Sequence, residues 1–165
     1  MSSTDELWDA AENGDAVRLS TLIAARADLD VRGGYGRTLL YYAAIHGHSD
    51  AVQVLVDANA TVAIGDHDGM TPLAIAAENG HSATVQVLLN AKAAVDGLDL
   101  FGYSPLYYGA VSGNRVIVQL LLDAKAHVDA RDHGGKTALY WAAMNGESFA
   151  AQLLIDAVAT IDSRD

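Results

Sequence analysis

The sequence contains no cysteine. That excludes disulfides and thiolate-bound metal, although it assigns no compartment. Basic residues are scarce as well. Ten Lys and Arg stand against 21 Asp and Glu, for a formal charge of −11. An acidic surface repels phosphate backbones, which argues against nucleic acid and anionic membrane as partners. A basic protein partner, or solubility alone, fits that charge better. No apolar run approaches the ~18 residues of a membrane span. The opening residues, Met1-Ser2-Ser3-Thr4-Asp5-Glu6, lack the basic start and apolar stretch of a signal peptide. A cytoplasmic, or otherwise intracellular, protein is expected. Motifs of chemistry are missing too: there is no G-x-S-x-G, no Walker loop and no dinucleotide fingerprint. Ser, His and Asp all occur, but no spacing organises them into a triad. What the chain does hold is apolar material, 51% of its 165 residues, enough for a sizeable core and against disorder.

That material is periodic. Gly36, Gly69, Gly102 and Gly135 stand 33 residues apart, as do Thr38, Thr71, Ser104 and Thr137. In phase with them run Gly14, Gly47, Gly80, Gly113 and Gly146, then Ala11, Ala44, Ala77, Ala110 and Ala143. Leu22, Leu55, Leu88, Leu121 and Leu154 form a fifth series, and Ala27, Ala60, Ala93, Ala126 and Ala159 a sixth. Six series in phase without an insertion define a repeat protein. Residues 65–97 show what one unit does. Asp66-His67-Asp68-Gly69 is a turn cluster. Thr71 is a good helix cap, and Pro72 sits at the first helical position, where its missing N–H costs nothing. Leu73, Ala76 and Ala77 form a narrow apolar face, and Asn79-Gly80 ends the helix. Ser82 starts a second helix with Val85, Leu88 and Leu89 inward. Such short helices are unstable alone, so stacking of units must hold them.

These residues resemble the ankyrin repeat family. Its T-P-L-H-x-A-A run appears as Thr71-Pro72-Leu73-Ala74-Ile75-Ala76-Ala77. It recurs as Thr38-Leu39-Leu40-Tyr41-Tyr42-Ala43-Ala44, Ser104-Pro105-Leu106-Tyr107-Tyr108-Gly109-Ala110 and Thr137-Ala138-Leu139-Tyr140-Trp141-Ala142-Ala143. The family's G-H pair appears as Gly47-His48 and Gly80-His81. The resemblance implies an all-α solenoid of stacked helix-turn-helix units with β-hairpin-like fingers and a concave face lined by the first helices. The expected domain is residues 1–165, with units 4–31, 32–64, 65–97, 98–130 and 131–163. Three departures stand out. The family's His after T-P-L is Tyr41, Ala74, Tyr107 and Tyr140 here, which puts its hydrogen-bond network in doubt. The family's Gly after the second helix is Arg26, Asn59, Lys92, Lys125 and Val158, and a β-branched residue in a left-handed turn is costly, so Val158 calls for a different ending. The family's Asn near the end of each unit, a hydroxylase target, is replaced by Asp30, Ala63, Asp96, Asp129 and Asp162.

The resemblance places function in the finger tips and the variable positions of the first helices. Three fingers are polar or glycine-rich. The remaining one carries Leu98, Leu100, Phe101 and Tyr103, and exposed apolar and aromatic residues of this kind are typical anchors of a binding face. Alternatively Leu98 and Leu100 pack against neighbouring fingers. On the first helices Tyr42, Ile75, Tyr108 and Trp141 form one row, and Ile45, Glu78, Val111 and Met144 form another one turn on. The partner-binding residues are therefore expected to be Leu100, Phe101, Tyr103, Tyr42, Ile75, Glu78, Tyr108, Val111, Trp141 and Met144. Such a stripe, about 30 Å long at the usual helix spacing, suits a helix or extended peptide better than a small molecule. The same aromatics could instead cover an alanine-rich core. Their recurrence beside Phe101 favours binding.

Other constellations carry less. His48 and His81 read as structural. Asp66-His67-Asp68 reads as a solvated turn rather than a metal site, and His67 and His133, two units apart, cannot share an ion. No catalytic residue, metal or cofactor is expected. The expected function is a protein-protein interaction module, a scaffold, adaptor or inhibitor. The alternative is a regulatory or docking segment of a larger multidomain protein such as an enzyme. Residues 1–31 hold seven of the acidic side chains and two of the basic ones, as a polar N-terminal cap would. Ser163-Arg164-Asp165 matches the start of another finger, and Phe149, Leu153, Leu154 and Ile155 leave the last helix as apolar as internal ones. A fragment of a longer array, or of a larger protein carrying another domain, is the expectation there. A monomer is expected, with that last face open to self-association.

Overall fold

Each first helix begins where a hydroxyl can hold its free backbone N–H. Thr38, Thr71, Ser104 and Thr137 are in extended backbone, and their side-chain oxygens accept from the N–H groups of Tyr41, Ala74, Tyr107 and Tyr140 at 3.2–3.3 Å. Pro72 and Pro105 occupy the first turn of their helices. In the computed structural model, which describes residues 3–24 and 28–162, ten α-helices result. They are α1 (Ser3–Glu12), α2 (Ala16–Ile23), α3 (Leu39–Ile45), α4 (Ser49–Asp57) and α5 (Pro72–Glu78). The second half holds α6 (Ser82–Asn90), α7 (Pro105–Val111), α8 (Arg115–Asp123), α9 (Ala138–Met144) and α10 (Ser148–Asp162). Arg26, Ala27 and the Ser163-Arg164-Asp165 stretch lie outside the described residues.

Odd- and even-numbered helices form two layers. In one, α1, α3, α5, α7 and α9 pack side by side; in the other, α2, α4, α6, α8 and α10 do. Each pair is joined by a tight turn at a glycine with positive φ, for instance Gly80 at 76°. The inner layer can be dense because its facing residues are small: Ala43, Ala44, Ala76 and Ala77 have no exposed surface. Leu39, Leu55, Leu73, Leu88, Leu121 and Leu154 fill the space between layers and are likewise fully buried. The result is the all-α helical-repeat stack that the sequence periodicity predicts.

The departures from the repeat pattern have local consequences. Asn59, Lys92 and Lys125 follow their helices with φ of 67°, 62° and 70°, so three non-glycine residues take the left-handed turn. Val158 does not. Helix α10 runs through it to Asp162 and is 15 residues long, where α4, α6 and α8 have nine. The stiff branched side chain is held in helix rather than forced into a left-handed turn.

Neighbouring pairs are also pinned by polar contacts. His48 Nε2 meets the Glu12 carbonyl at 2.9 Å and His81 Nε2 the Ile45 carbonyl at 3.0 Å. A carbonyl only accepts, so both imidazoles carry their proton on Nε2. At the next junction Asn114 Nδ2 donates to the Gly80 carbonyl at 3.1 Å. Asp30 and Asp96 accept from the Thr61 and His127 backbone N–H, each at 2.9 Å and 31 residues on. At the last junction the equivalent residue is Glu147, whose carboxylate lies against Gly113. No helix is long and apolar enough to cross a membrane among the described residues.

Candidate functional site

The fingers are loops closed by their own backbone. Asp66, Asp99 and Asp132 donate their N–H to the carbonyls of Met70, Tyr103 and Lys136 at 2.9–3.1 Å, and Gly33 does the same to Arg37. The carboxylates then complete the turn. Asp66 Oδ1 accepts from the N–H of Asp68 and Met70, and Asp99 Oδ1 from those of Phe101 and Tyr103. Asp132 Oδ1 accepts from the Lys136 N–H at 2.8 Å. Successive fingers are stitched together: the N–H groups of His67, Leu100 and His133 donate to the carbonyls of Tyr35, Asp68 and Phe101. The fingers are therefore one continuous edge, with a single antiparallel bridge, Arg131 to Thr137, as their only sheet-like pairing among the described residues.

The second oxygen of each aspartate reaches the helices. Tyr41 Oη donates to Asp66 Oδ2 at 3.1 Å, Tyr108 Oη to Asp99 Oδ2 at 2.5 Å and Trp141 Nε1 to Asp132 Oδ2 at 2.7 Å. An aromatic donor on the inner layer thus fixes each of these fingers. The electrostatics follow. Burial, then the neighbouring Asp66 carboxylate, pushes the Tyr41 phenol well above its usual value. Burial and the hydrogen bond to Asp99 do the same to Tyr108. Tyr107, beside Tyr103, is pushed up to about 12, mainly by burial. Asp132 is held below the usual carboxylate range, first by the Lys136 backbone N–H.

A continuous aromatic cluster joins the apolar finger to the last two inner helices. Tyr103 stacks on Tyr107 with centroids 3.9 Å apart and planes 8° from parallel. Phe101 lies 6.1 Å from Tyr103 on one side, and Trp141 meets Tyr107 edge-on at 5.8 Å on the other. Tyr108 and Tyr140 complete the group through T-shaped contacts at 5.0 Å with Tyr107 and 5.5 Å with Trp141. Beyond the cluster the finger is open to solvent. Leu98, Leu100 and Phe101 are 51%, 64% and 55% exposed. Leu98 and Leu100 therefore keep more than half of their surface free of packing between fingers.

The two rows on the first helices divide by exposure. Ile75 and Tyr108 are buried at 5% and 7% and offer little surface. Tyr42 is half-buried, edge-on to Trp8 at 5.4 Å, and Trp141 is half-buried with its N–H committed to Asp132. In the other row Ile45 and Val111 are half-buried, whereas Glu78 and Met144 are exposed. Tyr103 is half-buried against Tyr107. The exposed apolar surface of these rows and this finger thus concentrates at Leu98, Leu100, Phe101 and Met144, while Tyr42, Tyr103 and Trp141 are half-buried.

Exposed aromatics also occur outside the expected binding residues, at Tyr140 and, far more fully, at Tyr35. Tyr35, at the tip of the first described finger, is 73% exposed with φ 59° and ψ 18°. An aromatic residue in left-handed backbone stores strain of about 1–3 kcal/mol. Arg37 holds that tip: its guanidinium lies 5.2 Å from the Tyr35 ring, 5.1 Å from the Tyr41 ring and 3.7 Å from Asp66 Oδ2. The flanking glycines at 33, 34 and 36 were the available signal. They mark a loop of unusual backbone without saying that its aromatic projects. Residues 7–99 and 91–165 match a family model described as ankyrin repeats (3 copies). No curated protein matches the chain.

Proposed function

The chain belongs to the ankyrin repeat family, whose members are in general protein-interaction modules, and we propose that it acts as a scaffold, adaptor or inhibitor that holds a protein or peptide against its fingers and concave face. The observation that carries this reading is the apolar finger. A loop tip ordinarily carries polar residues, and three large apolar side chains held in water need a compensating use. The bonds from Asp99 to Tyr108 and to the finger backbone support it further, because they set the tip in place before a partner arrives. We take residues 1–165 as one domain of five units, and the binding residues to be Leu100, Phe101, Tyr103, Tyr42, Glu78, Val111, Trp141 and Met144. Ile75 and Tyr108 support that surface from beneath. This kind of fold is typically non-catalytic, and we assign it no reaction. Its compartment is read as intracellular.

The test is capture from cell lysate with the wild-type chain and a Leu100→Ser/Phe101→Ser variant as baits. Both residues are exposed, so circular dichroism is expected to find the variant as helical as the wild type. A protein retained by wild type and lost by the folded variant supports the reading. Identical capture by both baits sinks it.

A further inference from the structure

The second concave row reads Ile45, Glu78, Val111 and Met144, so one carboxylate interrupts an apolar line. Among the described residues the Glu78 carboxylate has no hydrogen-bond partner and no ion pair, the ion pairs lying elsewhere, at Arg18–Asp9, Arg37–Asp66 and His127–Asp96. Its surroundings disfavour its charge: desolvation first, then repulsion from Asp99, raise its carboxyl above the usual range. Glu78 ends α5, which packs against α7, and α7 carries the Tyr108 that holds Asp99 at the base of the apolar finger. The finger aspartates differ from Glu78, because their oxygens are filled by N–H and O–H donors.

The repeat itself shows what is missing near Glu78. Position 37 recurs at 70, 103 and 136, and reads Arg, Met, Tyr and Lys. In the two outer fingers the cation at this position sits over a tyrosine. Arg37 covers Tyr35 and Tyr41 beside Asp66, and Lys136 Nζ lies 4.3 Å from the Tyr140 ring centroid. In the two middle fingers Met70 and Tyr103 supply no charge. The middle of the surface therefore has the carboxylate and the aromatic rings that cations take at its ends, without a cation of its own.

Resting on the reading that this surface binds a protein, we propose that the partner presents an extended or helical segment in which one Arg or Lys, flanked by apolar residues, pairs with Glu78 while its flanks cover Leu100, Phe101 and Met144. The net charge of −11 favours the approach of such a segment at low salt. Apolar flanks supply most of the contact, and the cation sets position along the groove. A purely apolar segment would leave Glu78 buried without a partner, which is costly and selects against it.

The probe is a displayed library of random 12-residue peptides, selected in parallel on the wild-type chain, Glu78→Gln, Glu78→Lys and Leu100→Ser/Phe101→Ser, each checked by circular dichroism. Wild type is expected to enrich peptides with an Arg or Lys between apolar residues. A synthetic copy of the best peptide should bind Glu78→Gln about 10-fold or more weakly. Selection on Glu78→Lys should lose the basic preference. Peptides that depend on Leu100 and Phe101 but bind wild type and Glu78→Gln equally overturn the cation and leave the binding surface standing. Peptides indifferent to every variant, or no enrichment at all, overturn the surface and the proposal with it.

Discussion

The Tyr108 hydroxyl and the Asp99 carboxylate are both buried, at 7% and 7% exposure, and they bond at 2.5 Å. Removing the hydroxyl alone strands a carboxylate oxygen away from water. Tyr108→Phe is therefore expected to lower stability by about 1–3 kcal/mol, read as a shift of the urea midpoint. Phe101→Ser, at an exposed tip, should cost far less; an equal loss would place Phe101 in the core. The phenols also set an alkaline limit. In an unfolded chain they ionise near pH 10, but Tyr41, Tyr107 and Tyr108 hold their protons to higher pH in the fold. Above about pH 10 the unfolded state thus releases protons that the folded state keeps, and stability falls as pH rises. Helical circular dichroism should be lost on the way to pH 12, together with the late appearance of tyrosinate absorbance from these three residues. Full ionisation of all seven tyrosines with the helices intact would contradict their assigned burial.

At the scale of the helix pair, the junction ladder has one weak rung. His48, His81 and Asn114 present an N–H to the preceding pair's carbonyl, while Glu147 presents only acceptors there. Glu147→Asn restores the donor, and Asn is also a better cap for α10. A gain of about 1 kcal/mol is expected, measured by thermal melting. No gain would mean that the last pair is held by its packing alone. The caps at Thr38, Thr71, Ser104 and Thr137 were legible from their spacing, and so was the unusual ending at Val158, because a branched residue resists left-handed backbone. The aromatic brackets at Asp66, Asp99 and Asp132 were not. Their donors come from different places, Tyr41 from the preceding pair's helix, Tyr108 and Trp141 from nine residues on, so no single spacing announces them.

Across the whole molecule, stability is shared along a line of contacts between neighbours. Leu88 lies in the middle helix of the outer layer with no exposed surface, so Leu88→Ala should open a cavity and cost ~2–5 kcal/mol in denaturant melts. A cost below ~1 kcal/mol would mean that the stack collapses around the gap. Among the described residues the last pair packs against a neighbouring pair on one side only. Ala143 is exposed where Ala44, Ala77 and Ala110 are fully buried, and Met144, Phe149 and Ile155 add exposed apolar surface. The sequence by itself determined the repeat, its caps and turns, and the alternation of layers, because each depends on residues near in the chain and recurs every 33 positions. Which aromatics face water was decided only by tertiary structure. Ile75 and Tyr42 hold the same position in the repeat, yet one is buried and the other half-open, because exposure depends on what the neighbouring pairs bring alongside.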